Sequence, residues 1–330
     1  MRMVTSRDVA RLAGVSQPTV SRALRGLPGI APATVERVRQ VAAQLGYVPS
    51  EAGRALSTRR TRAIGIVADE LTNPFYPELV EPIRVSLEQN SYRALLIPDS
   101  PDAPLQLERL ADGTLDGVIL TTAALSSSLP GLLRERGIPC VLTNRTVPGE
   151  AFDSCAFDNA AGARLAAEHL FAAGHREIAV VSGPAETSTG REREEAFTAF
   201  MADQGRPVRP EHVVRGPFSF ESGYRAALAL FGSEDAPTAV FCGNDVIALG
   251  VCNALAHLSR PDIAVVGFDD ILAAAWDLFS LTTVRCDRTA LARESVGLLL
   301  ARIEDPAREP EQIRLPVDLV VRDSSRMRLR

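Results

Sequence analysis

The chain has 330 residues, 46% of them hydrophobic, which is too long for one small domain and suits two or three compact units with buried cores. Its net charge of −5 argues against a nucleic-acid partner only on average: residues 1–62 hold eleven Arg against three acids, giving +8, while the remainder carries −13. Five Cys stand singly in apolar stretches with no CxxC pair, the N-terminus has no apolar leader, and no run approaches ~18 apolar residues. A zinc site, a disulfide frame and a membrane span are therefore not expected, and a reducing, cytoplasmic location is.

Thr5 is placed to cap a helix over residues 6–13, with Val9, Leu12 and Ala13 as its apolar stripe. Gly14-Val15-Ser16 breaks and restarts the chain. Ser16 caps a second helix beginning Gln17-Pro18, where the missing proline N–H would have no helical partner in any case. That helix buries Val20, Ala23 and Leu24. Gln17, Ser21 and Arg25 follow at i, i+4 and i+8 on the other face with Arg22 beside them, so the outer surface can both donate to and accept from base edges. A third helix is expected over residues 32–45, with Val35, Val38, Ala42 and Leu45 inward and Gly46 at its end. Three short helices, the second polar and basic outside, describe a helix-turn-helix unit; periodicity alone leaves a small helical cap with solvated Arg as the alternative. Residues 50–60 then form a poor helix of about two turns containing Gly53, which by itself reads as a flexible basic linker.

From Arg62 the pattern changes to short apolar strands alternating with amphipathic helices. Ala63–Val67, Arg93–Ile97, Gly117–Leu120 and Pro139–Leu142 read as buried parallel strands, and a second set follows at Glu177–Val181, Ala239–Cys242 and Ile263–Val266. Two doubly wound sheets in succession imply an α/β body of two lobes, with a ligand cleft near the carboxyl ends of the strands.

The run Val4-Thr5, Asp8 to Ser16 and Thr19 to Leu24, continued by Leu45-Gly46-Tyr47-Val48-Pro49-Ser50, closely resembles the headpiece of LacI/GalR-family regulators. Asn73-Pro74-Phe75-Tyr76, Asp158-Asn159, Gly267-Phe268-Asp269-Asp270 and Leu281-Thr282-Thr283-Val284 carry the resemblance through the body. It implies a helix-turn-helix headpiece over residues 1–49, a hinge over 50–61 and a two-lobed, periplasmic-binding-protein-like domain over 62–330. The N-lobe would span about 62–160 and 290–320, the C-lobe about 161–288, with three crossings between them. On the same resemblance Gln17, Pro18 and Arg22 would read bases, while Thr5, Ser16, Thr19, Ser21, Arg25 and Arg54 would contact DNA around them. Leu56 would wedge into the minor groove as two hinge helices pair. Position 25, often Asn in the family, is Arg here, and Ala31 stands where Ser usually caps the third helix.

Effector contacts carried over in the same way are Asn73, Phe75, Tyr76, Thr121, Thr122 and Asn144 from the N-lobe, and Arg193, Phe218, Asn244 and Asp269 from the C-lobe. Arg and Asp would clamp a polar ligand while an aromatic face covers its apolar side, which suits a sugar, a sugar derivative or a nucleoside. Asp270, His169 and His175 are read as structural. The expected partners are a near-palindromic double-stranded operator, a small-molecule effector and a second copy of the chain, a homodimer or a tetramer, with no membrane and no cofactor. An enzyme is the rival reading, opposed by the lack of a phosphate loop, a nucleophile elbow or a metal-ligand cluster. An exported solute-binding protein is a second, opposed by the attached headpiece, and regulation by a partner protein or with no effector stays open.

Overall fold

Apolar periodicity segregates the chain into two units, Met1–Arg62 and Ala63–Arg330, in a computed structural model that describes residues 4–47, 60–68, 71–99, 107–149, 151–233 and 236–326. Gly53, Arg54 and Leu56, read as part of the hinge, lie outside the described residues. The first unit comprises α1 (Ser6–Ala13), α2 (Gln17–Leu24) and α3 (Pro32–Leu45). The Thr5 N–H and hydroxyl both donate to the Asp8 carboxylate, at 3.0 and 2.7 Å, satisfying the first exposed donor of α1. Gly14 (φ 64°) and Gly46 (φ 62°) end α1 and α3 in the left-handed conformation that a residue with a Cβ resists. Ser16 Oγ accepts from the Thr19 N–H at 3.3 Å and starts α2.

The core of this unit gathers Val9, Ala10, Ala13, Val20, Ala23, Val38, Val41 and Ala42. Leu12, expected in the apolar stripe of α1, is instead 56% exposed. Helix α1 packs against both α2 and α3, so its inward arc is centred between two neighbours, and Ala10 rather than Leu12 falls within it.

The second unit runs β1 (Ala63–Ala68), α4 (Phe75–Gln89), β2 (Arg93–Pro98), β3 (Gly117–Leu120), α5 (Leu129–Glu135), β4 (Cys140–Thr143), β5 (Ser154–Phe157), α6 (Asn159–Ala172), β6 (Ile178–Ser182) and α7 (Ser188–Asp203). It continues with β7 (Val213–Arg215), α8 (Phe220–Phe231), β8 (Ala239–Cys242), α9 (Asp245–His257), β9 (Ala264–Asp269), β10 (Thr282–Arg285), α10 (Arg288–Glu304), β11 (Gln312–Leu315) and β12 (Asp318–Val320). Two six-stranded sheets result, in the orders β11-β5-β4-β3-β1-β2 and β12-β10-β9-β8-β6-β7. All pairings are parallel except β10 with β12. Helix α6 packs on the second sheet and α10 on the first. The chain thus passes between lobes after β5, after β10 and after β11.

Strands β5, β7, β10, β11 and β12 go beyond the seven read from the sequence. Each is three or four residues long and most mix polar with apolar residues, so pairing with a neighbour, not an apolar run, makes them strands. The last crossing corrects the lobe boundary as well: β12 pairs antiparallel with β10, which places residues 318–320 in the C-lobe sheet and not at the end of the N-lobe.

Burial holds the Cys140, Cys155 and Cys252 thiols up at about 12, consistent with small core hydrophobes that stay protonated at neutral pH. Among the described residues no helix is long and apolar enough to cross a membrane, and no group of His, Cys, Asp or Glu is arranged to hold a metal ion.

Helices α8 and α9 meet at backbone distance. A Cβ on Gly250 would lie 2.0 Å from the Phe220 carbonyl oxygen, and one on Gly223 would lie 2.0 Å from that of Ile247. Neither obstacle is a side chain that can turn away. Gly250→Ala is expected to force the helices apart and to destabilise the protein by about 1–3 kcal/mol, read as a lower midpoint in urea denaturation.

Candidate nucleic-acid interface and interlobe cleft

On the first unit, Gln17, Pro18, Arg22 and Arg25 project from α2 into solvent with Thr5 and Ser16 beside them, while Thr19 and Ser21 are half-buried. The three long side chains bond within the headpiece. Gln17 Nε2 donates to Ser6 Oγ at 2.9 Å, Arg25 Nη2 to Ser21 Oγ at 2.7 Å, and Arg22 Nη2 to the Pro28 carbonyl at 2.7 Å. All are exposed bonds that water or phosphate can replace at little cost. The face therefore offers three donors of fixed spacing on a helix held by the core residues Val20 and Ala23.

On the second unit, the cleft is built at the carboxyl ends of both sheets. Side-chain caps anchor the helices that leave these strand ends: Asp158 accepts from the Ala161 N–H, Thr187 from Gly190, Asn244 from Ile247 and Asp287 from Ala290, at 2.9–3.1 Å. Asn73 Oδ1 accepts from the Phe75 N–H at 3.1 Å and fixes the turn into α4. These turns deliver Asn73, Phe75, Tyr76 and Asn144 from one lobe and Arg193, Phe218, Asn244 and Asp269 from the other to a single cavity.

Arg193 is its most heavily engaged member. Nε donates to Asn159 Oδ1 at 2.8 Å, Nη1 to the Gly243 carbonyl at 2.7 Å, and Nη2 lies 3.2 Å from Asp269 Oδ1. Its guanidinium carbon stands 3.7 Å from the centre of the Phe268 ring. Burial raises the Asp269 carboxyl to about 6, against the lowering influence of Arg193 and Arg288. Asp269 also sits at φ 114° and Asp270 at φ 52°, a backbone that L side chains rarely adopt. Arg288 helps hold this turn by donating to the carbonyls of both residues, at 2.6 and 3.0 Å.

Phe218 reaches the cavity because Gly183 has no side chain: a Cβ there would fall 2.1 Å from the ring. The Gly183-Pro184 pair after β6 thus makes room for an aromatic wall. The lobes meet across the cleft mouth, where the Leu125 N–H donates to the Glu186 carbonyl at 2.8 Å and the Thr146 N–H to Ser188 Oγ at 3.0 Å. On the far side Arg288 pairs with Glu78 at 2.9 Å. The enclosed space is about 20 Å³, room for roughly one water.

Thr121 and Thr122 do not join the lining. The Thr121 hydroxyl is buried and spent on the Val67 carbonyl at 2.8 Å, tying β3 to β1, and Thr122 contributes its carbonyl to the Arg145 side chain at 3.3 Å. His169, His175 and Asp270 hold structure: the imidazoles meet Ser325 Oγ and Thr238 Oγ1 at 2.8 and 2.9 Å, and Asp270 pairs with Arg322 at 2.7 Å. Arg145 and Thr189 line the cavity although sequence reasoning passed over them. The usable signal for Arg145 was its place beside Asn144 at a strand end; for Thr189, inside a helix, there was none.

Because the folded protein keeps the Asp269 proton that an unfolded chain gives up near pH 4, the native state binds more protons between about pH 4 and 6. Its contribution to stability therefore falls as pH rises through that interval. Asp269→Asn, which cannot ionise, is expected to be less stable relative to wild type at pH 4.5 than at pH 7, by about 2 kcal/mol between the two. Paired urea denaturation curves of both proteins measure the difference.

Residues 5–50 match the family model for bacterial regulatory proteins of the lacI family, and residues 167–325 match that of the periplasmic binding protein-like domain. The HTH-type transcriptional repressor PurR of Yersinia pestis (strain Pestoides F) is 33% identical over 331 residues, covering 98% of this chain and 97% of that protein. The lac repressor dimer bound to operator and the anti-inducer ONPF superposes with a TM-score of 0.87 at 26% identity, covering 98% of this chain and 99% of the other. The transcriptional regulator CelR in complex with cellobiose superposes with a TM-score of 0.75 at 32% identity, covering 98% and 100%. The chain belongs to the LacI family: it is a DNA-binding transcriptional regulator of the repressor type, with a ligand-binding domain of the periplasmic-binding-protein kind.

Proposed function

We propose that this protein is a cytoplasmic repressor that binds a near-palindromic operator as a homodimer and is released by a small polar effector, a sugar or sugar derivative, held in the interlobe cleft. The observation that carries the reading is the convergence of ten polar and aromatic side chains from both lobes on one cavity, in a chain that also presents Gln17, Pro18 and Arg22 on an exposed helix face. A ligand touching both lobes has a different affinity for the open and closed cleft, which is the requirement for controlling a conformational equilibrium. Arg54 and Leu56 are proposed as the hinge contacts to DNA.

Exposed apolar groups support pairing with a second copy. Leu95 and Leu96 face solvent on the edge strand β2 with Val85 nearby in sequence on α4, and Trp276 and Leu278 of the C-lobe are 60% and 84% exposed. Such groups on both lobes are costly in a monomer, and the similar lac repressor structure is a dimer. A molecular mass of one chain by light scattering at micromolar concentration would refute the dimer.

Arg22→Ala is expected to weaken binding to the cognate operator by about 1–3 kcal/mol, read by fluorescence anisotropy, with little change on random DNA. Equal losses on both would assign Arg22 to phosphate contact. Asp269→Ala should leave operator affinity intact and abolish release by effector; full release in this variant would move the effector site elsewhere.

A further inference from the structure

Among the described residues two cations line the cleft, and one of them has a carboxylate partner. Arg193 has Asp269; Arg145 has no carboxylate partner among the described residues, although it is 9% exposed. Its guanidinium carbon stands 5.9 Å from the centre of the Tyr76 ring and 5.6 Å from that of Phe218, one ring from each lobe. Nη1 donates to the Thr122 carbonyl at 3.3 Å, and Nε is sealed from solvent with no acceptor. Beside it Asn144 Oδ1 is likewise buried without a donor, on a residue held at φ 68°.

A guanidinium removed from water needs an opposing charge, and two ring faces with one long hydrogen bond compensate only in part. The remaining space is too small for any sugar-sized molecule, so the cleft must widen to admit one, and Arg145 stands on its wall. A neutral sugar bound against Arg145 would supply no counter-charge. An anion would complete the pair, and the unused Nε side of the guanidinium fork has the planar geometry that accepts a carboxylate or a phosphate. Asn144 Oδ1 adds an acceptor for a hydroxyl on the same molecule.

We propose that the effector is a small polyhydroxy anion, a carboxylate or phosphate on a sugar-sized frame, and that Arg145 recognises its charge. This rests on the interlobe cleft being the effector site. The test is a thermal-shift titration of the full-length protein with glucose and ribose, with gluconate and glucuronate, and with glucose 6-phosphate and ribose 5-phosphate, with sodium sulfate as the salt control. At least one anion should raise the melting temperature where its neutral parent and sulfate do not, and the carboxylate and phosphate arms identify the group. Arg145→Gln should weaken that anion about tenfold to a hundredfold, and Arg145→Lys, which keeps the charge and tests for misfolding, should retain part of the affinity. A neutral sugar that stabilises wild type and R145Q alike but not D269N overturns the anion assignment and leaves the cleft in place. An anion whose shift survives in both R145Q and D269N binds elsewhere and overturns both readings. No shift from any of the four anions overturns the proposal.

Discussion

The buried pairing of Arg193 with Asp269 is the constraint around which the cleft is organised. A guanidinium in a protein interior is stable only when its donors are satisfied and its charge is met, and here the donors go to a side chain at the start of α6, a carbonyl after β8 and a carboxylate at the end of β9. One side chain on α7 therefore fixes three loops that the chain reaches at separate times. The face of Phe268 closes the arrangement. Asp269 accepts an unfavourable backbone angle and a raised carboxyl pKa to hold its place, and such strain persists only where the surroundings dictate it.

One route from that set of contacts to the other lobe runs through Arg288. Arg288, at the second crossing, donates to the carbonyls of Asp269 and Asp270 and pairs with Glu78 of α4; Glu78 in turn accepts from the Leu272 N–H at 3.1 Å. A shift of the Asp269 turn would be felt at α4 without an intervening flexible segment. Helix α4 also carries Tyr76, one of the two rings against Arg145, so it meets the cleft at its first turn and the Arg288 contact next to it.

The cleft polarity has a common logic. Most of its polar groups are already engaged in holding the loops: Asn73 fixes a turn, Asn244 caps a helix, and Arg193 spends Nε and Nη1 on Asn159 and Gly243 with Asp269 beside Nη2. What is left for a ligand among the described residues is a short inventory: Arg145 Nε, Asn144 Oδ1 and the Asp269 oxygen that faces Arg193 without a hydrogen bond. Specificity in a small polar site is set by such uncommitted groups, since leaving them unmatched is what a wrong ligand costs.

The helix-turn-helix, the alternation of strand and helix and the two-sheet plan were legible in the sequence because each is a local pattern. A cap, a glycine turn and a period of 3.6 mark each headpiece helix, and a buried parallel strand is a continuous apolar run. Resemblance also led to the cleft residues from Asn73 to Asp269, because ligand-facing loops follow strand ends at recognisable spacings. Tertiary structure decided what depends on neighbours. Leu12 faces out because two helices, not one, define the inside of α1; Ser154–Phe157 and Asp318–Val320 are strands because partners wait for them. Thr121 turns to a carbonyl 54 positions away in the chain, and Phe218 enters the cleft over a glycine that had no legible purpose. Arg145 has only its place beside Asn144 at a strand end to mark it in the sequence. What sets it apart is that no carboxylate among the described residues meets it in three dimensions, and a linear order of residues does not encode which charges pair when the chain closes.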